Sequence, residues 1–337
     1  MKICVVGAGA IGGLVGAKLA AAGEEVTVID RGAHLEAIRR HGLKLIWHDG
    51  SEVVVRALRA TDSFAQAGKH ELVILALKAH IIESVAADIR MLFHEDTAVL
   101  PLLNGLPWWY FQRHGGEHDG RRLETCDPHG TIAANIDAGR IIGNVVYPAA
   151  EISAPGVIRH VEGDRFPVGE LDGSTTARVT RVSETFVKAG FKSPILDNIR
   201  AEIWLKLWGN LSFNPISALT HATLVDICQF PLTRNLAAEM MTEAQIIAGK
   251  LGITFRVPLE KRIAGAEKVG KHKTSTLQDV EAGRAMEIDA LVAAVIELGT
   301  VTGTPTPHID AVFALAKLLA KTLEDQRGCL KVQKLRD

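Results

Sequence analysis

Residues 2–13 read Lys2-Ile3-Cys4-Val5-Val6-Gly7-Ala8-Gly9-Ala10-Ile11-Gly12-Gly13: a β-branched run that breaks into glycines and then opens a helical pattern. A GxGxxG match alone is weak, but here strand, loop and helix follow in the order a phosphate-binding turn requires. Gly7 can make the tight turn, Gly9 lets the backbone approach a pyrophosphate, and Gly12 allows the helix to pack closely on the sheet. The helix N-terminus then presents N–H groups and a positive dipole end to the anion. The stretch predicts a dinucleotide-binding βαβ start, with Gly7, Ala8, Gly9, Ala10, Ile11 and Gly12 as cofactor-binding residues.

The end of the next strand-like run, Glu25 to Ile29, bears on which dinucleotide is held. Asp30 stands 18 residues beyond Gly12, where an acidic side chain can accept the ribose 2′-hydroxyl of NAD, whereas Arg31 beside it can clamp a 2′-phosphate. Lys78, just past the apolar run Leu72 to Leu77, falls on the same C-terminal rim of the sheet. Two cations against one carboxylate favour NADP(H), with NAD(H) not excluded.

Outward from this loop, short β-branched runs alternate with helical patterns through the first hundred residues, which implies a parallel sheet covered by helices. The continuous apolar runs 72–77 and 98–103 suit strands buried on both faces. Between about 121 and 170 the texture changes to short pieces separated by Gly, Pro and Asp, as expected of antiparallel hairpins appended to the sheet. Thr175 to Ala189 reads as a helix. Beyond it the chain is helical almost throughout, with helices expected over Ile199–Phe213, Pro231–Leu251, Leu277–Gly299 and His308–Glu324, and a charged tail at 330–337. The fold class is α/β, an N-terminal Rossmann-type doubly wound sheet (1–196) followed by an all-α C-terminal domain (197–337), the two sharing a cleft.

The helix around Trp204 is apolar almost all round, yet Lys206, Asn210 and Asn214 recur at i, i+4 and i+8 and form one polar ridge. Burying a lysine and two amides costs several kcal/mol unless they are hydrogen-bonded or face a wet cavity. A lysine so placed can have a lowered pKa and act as an acid near neutral pH. On the helix alone, Lys206 could equally pair with Glu202 or reach solvent. Pro215 is expected to end the helix just past Asn214.

Composition narrows the rest. With 337 residues, 38 Lys+Arg against 39 Asp+Glu, and 47% hydrophobic residues, the chain is a folded protein of about two domains with no global field to hold nucleic acid or an anionic membrane. No apolar run approaches the roughly 18 residues of a membrane span, and the N-terminus lacks a secretory pattern. Four scattered cysteines without CxxC spacing suggest free thiols, not a zinc site, and a cytoplasmic setting. His114 and His118 stand four apart, but Gly115 and Gly116 between them argue against a metal-binding face, so no metal is expected. His129 reads as a turn residue, and the basic stretch 260–273 as a solvated face. Trp108 to Phe111 is either core or pocket wall.

Several segments together resemble the ketopantoate reductase family: GAGAIGG at 7–13, Arg31, LALKAH around Lys78, LLNG at 102–105, PGVIRHVEGDRFPVGE at 155–170, NIRAEIWLKLWGNLSFNPISAL at 198–219 and TSTLQDVEAGRAMEIDAL at 274–291. The resemblance implies NADPH-dependent reduction of 2-dehydropantoate to pantoate, as in pantothenate biosynthesis. It puts Lys206 on the catalytic lysine and Asn104 on an asparagine near nicotinamide and substrate. Glu287 falls on a glutamate that contacts substrate and orients the lysine, Asn210 and Asn214 on substrate-side asparagines, and Thr276 on a substrate-binding hydroxyl that Ser275 could share. A small 2-oxo acid is the implied partner, with a homodimer open as the assembly. Asp30 and the aromatic stretch after LLNG depart from the family pattern. The first bears on NADP against NAD, the second on reduction of another branched or aromatic 2-oxo acid; a non-catalytic NADP(H) sensor on the same scaffold is a separate rival, against which Lys206 and Glu287 speak.

Overall fold

A computed structural model describes residues 1–333; positions 334–337, the end of the expected charged tail, lie outside the described residues. Packing divides the chain into two compact units. The first comprises Met1–Leu103, Trp108–Arg122 and Asp127–Ile199, and the second Asn104–Pro107, Leu123–Cys126 and the described residues from Arg200 on.

The first unit begins β1 (Lys2–Val6), α1 (Ala10–Ala21), β2 (Glu25–Ile29), α2 (Gly32–His41), β3 (Leu43–Ile46), β4 (Glu52–Val55), β5 (Leu58–Thr61), α3 (Phe64–Ala67), β6 (His70–Leu75), α4 (Ala79–Ile89) and β7 (Phe93–Pro101). It continues through α5 (Thr131–Asn135), β8 (Ile142–Asn144), β9 (Ala149–Ala154), β10 (Val157–Glu162), β11 (Val168–Glu170) and α6 (Ala177–Lys188). Five strands form a parallel sheet in the order β5-β2-β1-β6-β7. The chain fills one side of β1, then crosses to the other, so the strand order reverses beside β1, where open α/β sheets bind ligands. The β9–β10 hairpin is antiparallel, and β10 joins β3 in parallel to make a second sheet, β4-β3-β10-β9. Ile3, Val5, Leu14, Val28, Leu72, Ile74 and Leu100 pack in one buried core, the expected result of near-continuous apolar strands covered by helices.

The second unit holds α7 (Ile199–Thr220) from Arg200 on, then α8 (Leu224–Gln229), α9 (Pro231–Lys250), α10 (Leu259–Lys268), α11 (Ser275–Ala282), a π-helical turn (Asp289–Ala293), α12 (Ala294–Val301) and α13 (Pro307–Asp325). Two expectations are corrected here. Pro215 does not end α7, which continues to Thr220. Phe213, Ile216 and Ala218 are all buried, and burial of this size offsets the roughly 3 kcal/mol an internal proline costs. Nor is 277–299 one helix. Gly283 takes a left-handed conformation (φ +64°) and caps α11, its N–H donating to Asp279 O and Val280 O, so the chain leaves the helix there. No helix among the described residues is long and apolar enough to cross a membrane.

The glycine turn is sterically determined. A Cβ on Gly12 would lie 1.9 Å from Gly7 O, whereas one on Gly9 would meet nothing within 4 Å. Gly12→Ala is therefore expected to cost at least the ~3 kcal/mol at the top of the overpacking range, because its obstacle is backbone. Gly9→Ala should stay within about 1 kcal/mol of the parent. Urea denaturation of both variants measures the contrast; equal losses would show that the turn is not packed this way.

Candidate active site

In the first unit the loop after β1 is tied to both neighbouring strands: Gly7 N–H donates to Ile29 O at 2.8 Å and Ala76 N–H to Val6 O at 2.9 Å. Gly7 has φ +94°, and a Cβ there would meet Ala76 O at 2.7 Å, so a side chain is excluded. Gly9 is the N-cap of α1 and provides no side-chain cap, and the first turn of that helix holds no acidic residue. A bare helix N-terminus beside an open, side-chain-free position suits a diphosphate, so the residues present fit a dinucleotide. Arg31 is the exposed N-cap residue of α2. Asp30 Oδ1 accepts the Arg31 backbone N–H at 2.7 Å. Lys78 is the half-buried N-cap residue of α4, on the rim after β6.

In the second unit α7 carries the polar ridge. Trp204, Trp208 and Leu211 are fully buried, and the Trp208 indole N–H donates to Met241 O at 2.6 Å, so the helix is fixed on its apolar sides. Lys206 Nζ donates to Asn104 Oδ1 at 2.6 Å, across 102 positions of sequence. Burial pushes the Lys206 ammonium down from 10.5 to about 8, with the Glu287 carboxylate acting in the opposite direction. Glu202, the rival partner, takes Arg256 Nη2 at 2.9 Å. Asn214 is buried, and its Nδ2 lies 3.4 Å from Ser275 Oγ. Asn210 shares the ridge by its spacing on α7 and is half-buried.

Of the two candidate hydroxyls, Ser275 is the one with a contact to Asn214 of the ridge. Thr276 is turned into the protein, 2% exposed, whereas Ser275 is exposed and meets Asn214. The reason is helical register: Ser275 opens α11 just past the Thr274 N-cap, and Thr276 faces inward with Leu277 and Val280.

The loop bearing Asn104 is held by residues that the sequence does not mark. Gly105 has φ +83°, and a Cβ there would lie 2.3 Å from Ala290 O; Leu106 N–H donates to that same oxygen at 2.9 Å. Ala290 belongs to the π-helical turn just after Glu287, a local irregularity often found at functional sites. Farther along, the Glu297 carboxylate accepts the N–H groups of Glu124 and Thr125, each at 2.8 Å, and Cys126 Sγ lies 3.1 Å from Leu106 O. The glycine of LLNG is the one sequence signal for this docking; Glu297 has none, being one carboxylate on a helix.

Trp108, Trp109, Tyr110 and Phe111 are buried in the first unit, with Tyr110 and Phe111 edge to face. His114 and His118 pack their rings on Phe111, and no group of three or more metal-ligating side chains occurs among the described residues.

A doubly wound sheet with a glycine loop between strand and helix, and an all-helical unit carrying a partly buried lysine of lowered pKa, define a Rossmann-plus-helical-domain dehydrogenase. The chain belongs to the ketopantoate reductase family: residues 3–108 match the model of ketopantoate reductase PanE/ApbA, and residues 198–320 that of its C-terminal part. It is 52% identical over 330 residues to 2-dehydropantoate 2-reductase of Mesorhizobium japonicum, covering 98% of this chain and 99% of that one. Among solved structures, a candidate ketopantoate reductase of Ralstonia solanacearum MolK2 is 41% identical, with a TM-score of 0.91 over 96% of this chain and 98% of the other. D-mandelate dehydrogenase, solved with NADH and anilino(oxo)acetate, shares the fold at 24% identity and a TM-score of 0.81, covering 96% of this chain and 100% of its own. The family is one of nicotinamide-dependent oxidoreductases.

The depressed Lys206 pKa makes a stability prediction. Between about pH 8 and the unfolded value near 10.4, the unfolded chain holds more protons on this group than the folded one. Stability therefore rises with pH across that window. The parent should gain stability relative to Lys206→Met between pH of about 7.5 and about 10 in urea titrations. A constant difference would mean that the ammonium is not desolvated.

Proposed function

We propose that this chain reduces the C2 ketone of 2-dehydropantoate to pantoate with NADPH, a step of pantothenate biosynthesis. The observation that carries the reading is Lys206, brought to about 8 by burial and hydrogen-bonded to Asn104, in a chain 52% identical to a 2-dehydropantoate 2-reductase. NADPH, when bound, supplies the hydride to C2. Lys206 Nζ gives its proton to the oxygen on C2 as negative charge develops there. Asn104 Oδ1 holds one of the ammonium N–H groups, which aims the others, and Glu287 favours the charged form. Asn210, Asn214 and the hydroxyl of Ser275 hold the remaining substrate oxygens, with Thr276 behind them.

The NADPH preference is supported by Asp30, whose Oδ1 is engaged by the Arg31 backbone N–H, and by the exposure of Arg31. Lys78 on the same rim adds positive charge. The rival aromatic substrate rested on Trp108 to Phe111, and their burial supports a packing role. Four free thiols support placing the enzyme in the cytoplasm. An NADPH-oxidation assay over a panel of 2-oxo acids tests the whole reading. Ketopantoate should give the highest kcat/KM, and a better substrate in the panel would sink the assignment.

Lys206→Ala should lower kcat by roughly 10² to 10⁴, the range for a lost general acid, with NADPH affinity nearly unaltered. In the parent, kcat/KM for reduction should fall as pH rises through about 8, since the deprotonated amine has no proton to give. Loss of cofactor binding with turnover preserved would refute the assignment.

Arg31→Ala should weaken NADPH by about 1–3 kcal/mol and leave NADH nearly unaffected. Titration with both nucleotides decides; equal weakening would make Arg31 a structural residue.

A further inference from the structure

The glycine loop is held from outside by a residue that no motif includes. His34 lies in the first turn of α2. The Gly156 backbone N–H donates to its Nδ1 at 3.0 Å. A ring nitrogen that accepts must carry a lone pair, so the proton of the neutral imidazole sits on Nε2. Nε2 lies 2.9 Å from Ala8 O, which can only accept. The ring is thus a bridge in one defined tautomer. Its second partner is itself fixed: Gly156 turns the β9–β10 hairpin at φ +75°, so close to α2 that an added Cβ would lie 3.0 Å from Ala37 Cβ.

We propose that His34 is a positioning residue for dinucleotide binding, drawing the Ala8 carbonyl toward α2 so that the Gly9 N–H faces the diphosphate. The Ala8 C=O and the Gly9 N–H belong to one planar peptide, and no peptide bond is cis among the described residues. In a trans peptide the two point in opposite directions, so a carbonyl held by the imidazole leaves the N–H aimed away from it. The next peptide is fixed by α1, because Gly13 N–H donates to Gly9 O at 2.7 Å. The Ala8–Gly9 peptide precedes the helix and adjoins a glycine, whose backbone turns at little steric cost. His34 supplies the restraint that a side-chain-free loop cannot supply for itself.

This inference rests on the reading that the loop holds a dinucleotide, and three variants of the full chain separate the two. Gln places an N–H near the position of Nε2 and keeps the bond to Ala8; Asn places an oxygen near Nδ1 and keeps only the bond to Gly156; Ala keeps neither. Fluorescence titration should show NADPH and NADH each weakened about 3- to 10-fold in His34→Ala and His34→Asn, the scale of one hydrogen bond. His34→Gln should stay within about two-fold of the parent. In steady state the loss should fall on the KM for NADPH and not on kcat. The equal effect on both nucleotides sets this apart from Arg31, which acts at the 2′-phosphate alone. If His34→Ala fails to fold, shown by its melting curve, the contrast between Gln and Asn still decides. Variants that all bind like the parent, a Gln variant as weak as Asn, or a loss confined to NADPH would each overturn the inference. A parent that binds neither nucleotide would overturn the cofactor reading, and this inference with it.

Discussion

A lysine ammonium partly withdrawn from water is the constraint around which the helical unit is built. Water removed from Nζ must be replaced by fixed acceptors and a counter-charge, or the group loses its proton altogether. Asn104 Oδ1 provides the acceptor and Glu287 the charge. The desolvation itself comes from α7. Trp204, Trp208 and Leu211 bury the helix on its other sides, so the hydrophobic effect that anchors α7 also lowers the pKa of the one cation on its polar ridge.

That arrangement demands backbone precision far from α7 in sequence. Asn104 follows β7, a strand of the first unit, yet the segment Asn104–Pro107 packs with the second. Gly105 permits it, since any side chain would strike the Ala290 carbonyl, and that carbonyl then receives the Leu106 N–H. The π-helical turn that presents Ala290 begins two residues after Glu287. One irregularity therefore docks the asparagine loop, and Glu287 lies just ahead of it. Glu297, through the N–H groups of Glu124 and Thr125, holds a second strand of chain beside this loop.

The sequence shows most plainly what has a period or a forbidden side chain. The parallel sheet was legible in its apolar runs, the strand-to-helix glycine turn in Gly7, Gly9 and Gly12, and the polar ridge in the four-residue recurrence of Lys206, Asn210 and Asn214. Interactions that depend on one residue meeting a distant backbone atom were not legible. His34 on Ala8, Glu297 on Glu124 and Thr125, and the side of α11 on which a hydroxyl falls leave no periodic trace. Pro215 and Gly283 show the two directions of local error. A proline was outweighed by the burial around it, while a glycine within an apolar stretch ended a helix because it could take φ +64°. Local propensity decides where tertiary burial is silent, and yields where burial is large.

In the proposed reaction the two influences on Lys206 must oppose each other. Desolvation alone would drive the group toward a neutral amine with no proton to give, and a close carboxylate alone would hold the proton too firmly to release. Burial is the larger influence and Glu287 the smaller, which leaves the ammonium near 8, where a general acid is both charged at neutral pH and willing to donate. On this account Glu287 does more than orient a side chain: it sets how far burial can depress the acid. The Asn104 bond complements it by fixing direction without adding charge. Geometry and acidity are thereby governed by different residues, one on a docked loop and one ahead of a π-helical turn, and each could change without the other.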